Sequence, residues 1–321
     1  MKSIFLLHGD DNFSSSQKLK SWRDGFVQKY NSEPEIFDGK KLDLSQFETN
    51  IEAYPFLSEK RLVIIKNFFE DRSAEDGKRV AESLKRVPDF CILIFHENGK
   101  ADKRTALYKK IEKEGKIEEF KEKSPLEIAK WAAERATKKG ISLAITQANY
   151  FAEHCGSNLW QLENEIDKLA LHKGPITNET IDTITTPSLT ASIFRVTDKV
   201  AEQNAREALK TLKTLQDNGE DMIKILFMIV RHFRILIQIH DLIHHKESTS
   251  SIASKLKQPP FVIQKGVQQS RNFTYERLKQ IYEELLKIDT DFKTGKIKIL
   301  KQDNRELHLA IEKFIINCCQ K

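Results

Sequence analysis

Short strand-like runs alternate with longer amphipathic stretches over the first third of the chain. The strand-like runs occupy residues 4–7, 35–37, 62–65, 91–95 and 117–120. Between the first two runs, Leu19, Trp22, Phe26 and Tyr30 recur at the three- and four-residue spacing of one helical face. Strands that alternate with helices are typical of a parallel sheet covered by helices on its faces, so the pattern predicts an α/β fold for this region.

A capping box is predicted to open the second helix. Ser45 and Glu48 have the spacing at which a hydroxyl and a carboxylate each satisfy a backbone N–H at the helix start. Phe47, Ile51 and Tyr54 then recur on one side of the helix. We therefore expect this helix to begin at Ser45, to bury those three side chains and to end near Tyr54.

The segment after this helix places two large apolar residues on a turn. Pro55 cannot continue a helix because it has no N–H to donate. Phe56 and Leu57 follow, and the apolar run at 62–65 then predicts a buried strand. The pair either packs under its own domain or forms an exposed plug for a pocket of a partner protein. Spacing alone leaves both interpretations open.

Only helices are predicted beyond Ser124. Ser124, Pro125 and Glu127 combine the three residue types that favour the start of a helix. A polar linker around Pro187 separates a group of short helices from a longer helical segment. The pattern predicts three domains: an α/β domain at 1–123, a small all-α domain at 124–186 and an all-α bundle at 187–321.

The composition of the 321-residue chain is that of a globular protein with a heavily charged surface. The formal net charge of +6 is compatible with contact to nucleic acid or to an acidic protein. The N-terminus is too briefly apolar for a signal peptide. The most apolar segment, 222–239, contains Arg231, His232 and Arg234, which indicates a buried helix and no membrane contact. We expect a cytoplasmic protein.

The residues after the first strand match a phosphate-binding loop only in part. Gly9 and Ser16 fit the spacing of the GxxxxGK[ST] pattern, but Ser14 replaces the second glycine and Ser15 replaces the lysine. A neutral serine cannot provide the charge-assisted contact that lysine makes with phosphate. The segment predicts a degenerate, non-functional P-loop.

A second requirement for nucleotide hydrolysis also fails. The strand at 62–65 is followed by Lys66 and Asn67, where an active enzyme would carry acidic residues for magnesium. We therefore expect no catalytic residue, no nucleotide hydrolysis and no cofactor. The histidines form no HExxH pattern and the four cysteines form no CxxC pair, so no metal site is expected.

A basic stretch follows the fourth predicted strand. Lys103 and Arg104 lie at the start of a predicted helix, where cations and backbone N–H groups together suit a phosphate group, so both are candidate DNA contacts. A solvated basic face, offset by Glu112 and Glu114, explains the same pattern equally well.

The order and spacing of several segments resemble the delta-subunit family of the bacterial DNA polymerase III clamp loader over essentially the whole chain. These segments are LLHGD at 6–10, PFLSEKRLV at 55–63, DKRTALYK at 102–109, LENEIDKLAL at 162–171, RHFRIL at 231–236 and LLKIDTDFKTG at 285–295. The resemblance implies an AAA+-type fold with a non-functional nucleotide domain, a helical lid and a helical collar.

The resemblance also implies a role and partners. Members of this family are non-catalytic components of the DNA-directed DNA polymerase III holoenzyme. They bind the ring-shaped beta sliding clamp and help to open it for loading on primed DNA during replication. They assemble with ATP-hydrolysing gamma or tau subunits and with delta-prime in a hetero-pentamer.

The family contacts the clamp through an apolar pair on the turn before the third strand. In this sequence the pair is Phe56 and Leu57, flanked by Tyr54 and Pro55. The family more commonly shows Leu and then Phe, so the order here is reversed. The resemblance favours an exposed plug over a buried pair.

Three other hypotheses fit parts of the pattern. A divergent AAA+ ATPase would use an unrecognised nucleotide site and would turn over ATP. A delta-prime-like stator subunit would share the fold, but the cysteine cluster common in sister subunits is missing. A free-standing helical DNA-binding protein would bind DNA in a salt-sensitive way without any clamp.

Overall fold

A five-stranded sheet is the centre of the first part of the chain. The computed structural model of the protein describes residues 3–55, 58–70, 72–298 and 304–320. The strands are Ile4–His8 (β1), Glu35–Asp38 (β2), Arg61–Lys66 (β3), Cys91–His96 (β4) and Lys116–Glu119 (β5). They pair in the order β2-β3-β4-β1-β5, and every pairing is parallel. The predicted parallel sheet is confirmed.

Helices cover both faces of this sheet. They are Asn12–Tyr30 (α1), Leu44–Glu52 (α2), Ala74–Ser83 (α3) and Ala106–Glu114 (α4). On the α1 side, the strand residues Leu7, Leu62, Ile64 and Ile94 pack on α1. On the other side, alternate strand residues such as Val63 share a core with α2, α3 and α4. Because both faces are buried, the central strands appear in the sequence as unbroken apolar runs.

The second part of the chain is helical. Its helices are Pro125–Lys138 (α5), Ile145–Cys155 (α6), Leu159–Ala170 (α7), Asn178–Ile184 (α8), Leu189–Ala201 (α9), Ala205–Asp217 (α10), Met222–His244 (α11), Thr249–Leu256 (α12), Pro260–Ser270 (α13), Tyr275–Lys293 (α14) and Arg305–Cys319 (α15). The described residues beyond Ser124 contain no strand. The predicted fold class, an α/β region followed by helices, is confirmed.

Contacts divide the chain into two compact units, which we call the α/β unit (up to Ser124) and the helical unit (from Pro125). The division of the helices into a lid at 124–186 and a collar at 187–321 stays a prediction. None of the helices in the described ranges is long and apolar enough to cross a membrane.

A buried polar network fixes three helices of the helical unit. The Nε2 atom of His232, on α11, lies 2.8 Å from Oε1 of Gln269 on α13. The Gln269 amide donates to the Phe194 carbonyl (3.0 Å) and to the Asp198 carboxylate (2.6 Å), both on α9. Burial lowers the pKa of His232 to about 4, so the imidazole is neutral.

The start and end of α2 differ from the sequence prediction. The N-cap is Asp43, whose carboxylate accepts from the Ser45 N–H (2.8 Å), so Ser45 lies inside the helix. Glu48 does not close a capping box, because its carboxylate is held by the side chains of Arg79 and Ser83 on α3 (both 3.0 Å). The helix ends at Glu52, and Tyr54, predicted to be buried, is 84% exposed.

Candidate binding turn and degenerate phosphate loop

Arg61, the first residue of β3, holds the base of the segment 54–60. Its guanidinium forms a two-pronged ion pair with Glu35, the first residue of β2, at 2.6 Å (Nε to Oε1) and 2.5 Å (Nη2 to Oε2). Its Nη1 atom donates to the carbonyl oxygens of Asn50 and Ala53, the latter at 3.1 Å. One side chain therefore connects β2, β3 and the C-terminal end of α2.

Further contacts attach both sides of the segment to the residues before β4. The Lys60 ammonium donates to the Asp89 carbonyl oxygen (2.8 Å). The Arg61 backbone N–H donates to the Phe90 carbonyl oxygen (2.9 Å). The Tyr54 ring lies on the Phe90 ring with centroids 4.7 Å apart. Exposed Tyr54 is thus held in place by an aromatic contact.

Of the four residues predicted to bind the clamp, the structure describes two. Tyr54 is exposed and Pro55 is half-buried. Phe56 and Leu57 lie outside the described residues, so the assignment of a plug to this pair stays a prediction.

The N-terminus of α1 is capped by a carboxylate of the chain itself. Asp11 is the N-cap, and its carboxylate accepts from the Ser14 N–H at 2.8 Å. The same carboxylate pairs with the Lys123 ammonium at 2.6 Å, and this ammonium also reaches the Ser14 hydroxyl at 3.1 Å. Burial acts to raise the pKa of Asp11, but the hydrogen bonds from Lys123 and Ser14 outweigh it, and the pKa lies below its usual value. The helix end that favours a phosphate group is therefore occupied by a carboxylate of the chain itself.

The residue at the lysine position of the P-loop pattern points into the core. Ser15 is fully buried, and its hydroxyl oxygen lies 2.8 Å from Nε2 of His96 at the end of β4. Burial lowers the pKa of His96 to about 4, so this is a contact between two neutral groups. Ser16 is half-buried one residue further along α1.

Gly9 lets the loop pass close to the end of β5. Its φ of +132° is strained for any other residue, and a Cβ atom there would lie 2.1 Å from the Phe120 carbonyl oxygen. The Phe120 N–H in turn donates to the His8 carbonyl oxygen at 2.7 Å. Gly9 thus lies in the short loop after β1, Ser14, Ser15 and Ser16 lie in the first turns of α1, and the chain's own groups pack around them.

An acidic residue does lie at this edge of the sheet, although sequence analysis did not single it out. Glu97 follows β4 and is 3% exposed, and its carboxylate accepts from the backbone N–H groups of Phe68 (2.8 Å) and Phe69 (3.1 Å). Burial raises the pKa of Glu97 to about 7, although those two hydrogen bonds act to lower it. This carboxylate orders the loop after β3. The only sequence signal for it is an acidic residue directly after a buried run.

Lys103 and Arg104 precede α4 as predicted, and both are paired. The Lys103 ammonium lies 2.8 Å from the Glu119 carboxylate. Arg104, whose side chain is 90% exposed, pairs with Asp102 at 2.8 Å. Hydrogen bonds from Arg104 hold the pKa of Asp102 at about 2. A DNA phosphate would have to compete with these carboxylates for both cations.

The segment 54–60 and the segment 9–16 lie at opposite ends of the sheet. All strands run in one direction, the segment 54–60 precedes β3, and the segment 9–16, which is the loop after β1 and the start of α1, follows β1. A six-residue strand separates the two edges by roughly 20 Å. Lys103 shares the edge of the loop, because it pairs with Glu119 at the end of β5. Within the described ranges, no group of three or more His, Cys, Asp or Glu side chains is arranged to hold a metal ion.

The fold defines a two-unit α/β-plus-helical protein, in which a five-stranded parallel sheet is followed by helices. Comparison with known families identifies it further. The DNA polymerase III delta subunit family model matches residues 5–121, and the model for the C-terminal domain of that subunit matches residues 190–317. Together they span well over half of the chain. The chain belongs to the DNA polymerase III delta subunit family, which confirms the resemblance seen in the sequence.

Individual relatives agree with this assignment. The chain is 25% identical over 333 aligned residues to the DNA polymerase III subunit delta of Bacillus subtilis, covering 99% of this chain and 93% of the relative. It is 20% identical to a protein of Aquifex aeolicus named "Probable DNA polymerase III subunit delta", covering 70% and 66%. The solved Bacillus subtilis DNA clamp loader delta protein (YqeN) shares the fold, with a TM-score of 0.63 and 22% identity over 100% of this chain and 96% of that one.

Proposed function

We propose that this chain binds the beta sliding clamp through residues 54–60, named here the clamp-binding turn, and helps to open the clamp for loading on primed DNA. The observation that carries the proposal is that the described residues around the pair are all at least partly exposed: Tyr54 is 84% exposed, Glu59 is exposed, and Pro55 and Ser58 are half-buried. Phe56 and Leu57 therefore lie in a segment at the surface of the α/β unit, which supports the plug interpretation. Membership of the delta family supports the same role.

The chemistry of the turn suits an apolar pocket. Burying one large apolar side chain contributes roughly 1.5–3 kcal/mol, so Phe56 and Leu57 together account for a factor of roughly 100 or more in affinity. Opening requires in addition that the chain bind the open ring more tightly than the closed ring. The turn would provide the affinity, and α2, which leads into it, would provide the strain.

Clamp binding tests the proposal directly. The affinity of the full chain for its own sliding clamp is measured for the wild type and for Phe56→Ala/Leu57→Ala. Leu171→Ala is the matched control, because Leu171 is an 83% exposed leucine in the helical unit. We expect the double variant to lose about 100-fold in affinity and the control to bind normally. Normal binding by a double variant with an unchanged melting temperature would refute the role of the pair.

Ring opening needs its own measurement. A clamp labelled with a self-quenching fluorophore pair across one subunit interface reports opening when the chain is added. We expect opening with the wild type and none with the double variant at equal concentration. A wild-type chain that binds at saturation without any fluorescence change would contradict the opening role while leaving the binding role intact.

We further propose that the chain hydrolyses no ATP. Support comes from Asp11, whose carboxylate caps α1 where a phosphate would bind, and from Ser15, which is buried against His96. Purified chain should show no ATP turnover, and MgATP should leave its melting temperature unchanged. Turnover that follows the protein through purification would favour the divergent AAA+ ATPase hypothesis.

We propose that the chain joins gamma or tau ATPase subunits and delta-prime in a cytoplasmic hetero-pentamer through a collar formed by residues 187–321. Exposed apolar side chains on collar helices, such as Phe227, Leu286 and Leu309, support this assignment. Native mass spectrometry of the full chain mixed with those subunits should give a five-subunit complex that contains one copy of it. A mixture in which the other subunits assemble while this chain stays outside the complex would contradict the proposal.

Contact of Lys103 and Arg104 with DNA would have to displace their carboxylate partners, Glu119 and Asp102. If both cations contact phosphates of duplex DNA, the affinity of the assembled loader should become less sensitive to salt in Lys103→Ala/Arg104→Ala. The negative slope of log affinity against log salt should become shallower by about 2. An unchanged slope would assign both residues to the solvated basic face.

A further inference from the structure

We infer that Arg61 is a positioning residue for the clamp-binding turn, an inference that rests on the proposed function. The loop at 54–60 leaves α2 at one end and enters β3 at the other. Arg61 touches both ends, because its backbone begins β3 and its side chain reaches the carbonyl oxygens of Asn50 and Ala53 at the end of α2. The guanidinium thus closes the base of the loop.

The end of α2 creates the need for this contact. The last carbonyl groups of a helix have no partner within the helix, and Pro55 cannot supply an N–H to any of them. A guanidinium satisfies two of these carbonyls and places positive charge at the negative end of the helix. The same planar group still has two N–H donors aimed at Glu35, which matches a carboxylate in a way that a lysine ammonium cannot.

We do not expect the Arg61 side chain itself to contact the clamp. Its side chain is only 13% exposed, and the Glu35 carboxylate compensates its charge. Its effect on clamp binding therefore passes through the geometry of the loop. A loop whose base is fixed loses less freedom when it binds, and that cost otherwise reduces affinity.

The chain offers a matched control in Arg72. This residue also bridges backbone carbonyls, with Nε donating to Gly39 at 2.7 Å and Nη2 donating to Leu42. Its side chain is similarly covered, at 17% exposed, and its charge is paired with Asp76. Arg72 belongs to the same α/β unit but follows β3, so it lies at the opposite edge of the sheet from the turn.

The experiment compares four full-length proteins for clamp affinity and melting temperature: wild type, Arg61→Lys, Arg72→Lys and Phe56→Ala/Leu57→Ala. Both lysine variants should lower the melting temperature to a similar degree. Only Arg61→Lys should weaken clamp binding, by about tenfold, while Arg72→Lys changes it less than about twofold. Hydrogen exchange of residues 53–60 should be faster in Arg61→Lys and unchanged in Arg72→Lys.

Each outcome decides between the claims. If the Phe56/Leu57 variant loses affinity but Arg61→Lys binds as Arg72→Lys does, the positioning role is overturned and the proposed function stands. If the Phe56/Leu57 variant binds like the wild type, both are overturned. If Arg61→Lys does not fold, the milder Glu35→Gln takes its place, because losing the ion pair frees the guanidinium from the position in which it meets the Asn50 and Ala53 carbonyl oxygens. An affinity loss for Glu35→Gln with faster exchange at 53–60 then supports the role, and no loss overturns it.

Discussion

His96 and Glu97 are consecutive buried residues at the end of β4, and burial displaces the pKa values of their side chains in opposite directions. Burial lowers the pKa of His96 to about 4, from the 6.5 that it has in an unfolded chain. Burial raises the pKa of Glu97 to about 7, from 4.5. In both cases the low-dielectric interior favours the neutral form. The two side chains hold different segments, since His96 contacts Ser15 in the first turn of α1 and Glu97 binds the N–H groups of Phe68 and Phe69 in the loop after β3.

The first prediction is that these two groups oppose each other in the pH dependence of stability. The contribution of His96 is present above pH 6.5 and is lost as the pH falls toward 4. The contribution of Glu97 is present below pH 4.5 and is lost as the pH rises toward 7. Each displacement corresponds to about 3 kcal/mol at most. Relative to the wild type, His96→Gln should therefore be more stable at pH 5 than at pH 8, and Glu97→Gln should be less stable at pH 5 than at pH 8.

Urea denaturation of the full chain at both pH values checks this prediction. In a Trp131→Phe/Trp160→Phe background, Trp22 is the single tryptophan and reports on the α/β unit. His8, whose pKa is also lowered by burial, titrates in all three proteins and cancels in the comparison. Equal pH slopes for both variants and the wild type would contradict the assignment.

The second prediction concerns two aspartates that cap helices in the same unit. Asp11 caps α1 and is buried against Lys123, whereas Asp43 caps α2 from an exposed position. Losing an N-cap costs about 1 kcal/mol, and Asp11→Ala in addition leaves the half-buried Lys123 ammonium without its carboxylate. We expect Asp11→Ala to lower the free energy of unfolding by about 2–3 kcal/mol and Asp43→Ala by about 1 kcal/mol. A larger loss for Asp43→Ala in urea denaturation would show that the buried ion pair contributes nothing.

The third prediction is that restoring the glycine and lysine of the P-loop pattern does not create a nucleotide-binding site. In Ser14→Gly/Ser15→Lys the new lysine starts from a fully buried position beside the neutral imidazole of His96. Burying an unpaired ammonium is costly. The melting temperature should fall, and MgATP should not raise it. Ser14→Gly alone is the control for the glycine, and a MgATP-dependent rise in the double variant alone would contradict the prediction.

The fourth prediction compares the effect of alanine on stability at two glycines, Gly9 and Gly25. A Cβ at Gly9 would overlap the Phe120 backbone, whereas a Cβ at Gly25, inside α1, meets no atom within 4 Å. Gly9→Ala should therefore be strongly destabilised. Gly25→Ala should be stabilised by about 0.5–1 kcal/mol, because alanine favours a helix more than glycine does. Thermal denaturation of the two variants gives the answer, and a Gly9→Ala protein with a normal melting temperature would exclude the close approach.

The strands were predictable because each of the central ones is buried on both faces, which leaves an unbroken apolar run in the sequence. Details at the ends of α2 were not. Asp43 and Ser45 are both good capping residues, and only the path of the backbone decides that Asp43 is the cap. Helical spacing continues to Tyr54, but the helix stops at Glu52.

The contacts that organise the two sites were beyond sequence analysis for a different reason. Arg61 pairs with a residue 26 positions earlier, and Glu97 binds N–H groups almost 30 positions earlier. Such pairings depend on the order of strands in the sheet, which no local pattern specifies. The partial match to the P-loop pattern at Gly9 and Ser16 was visible in the sequence, whereas the internal carboxylate of Asp11 at the helix start was not.

The order of the strands also limits how other proteins can dock on the sheet. Its two outer strands, β2 and β5, are four residues long, and β2 offers Glu35 and Asp38 while β5 offers Lys116, Glu118 and Glu119. Short, charged edges discourage an added strand from another chain. The two outer strands therefore disfavour backbone pairing with another chain and edge-to-edge aggregation. Recognition through side chains is favoured instead, which is the mode proposed for Phe56 and Leu57.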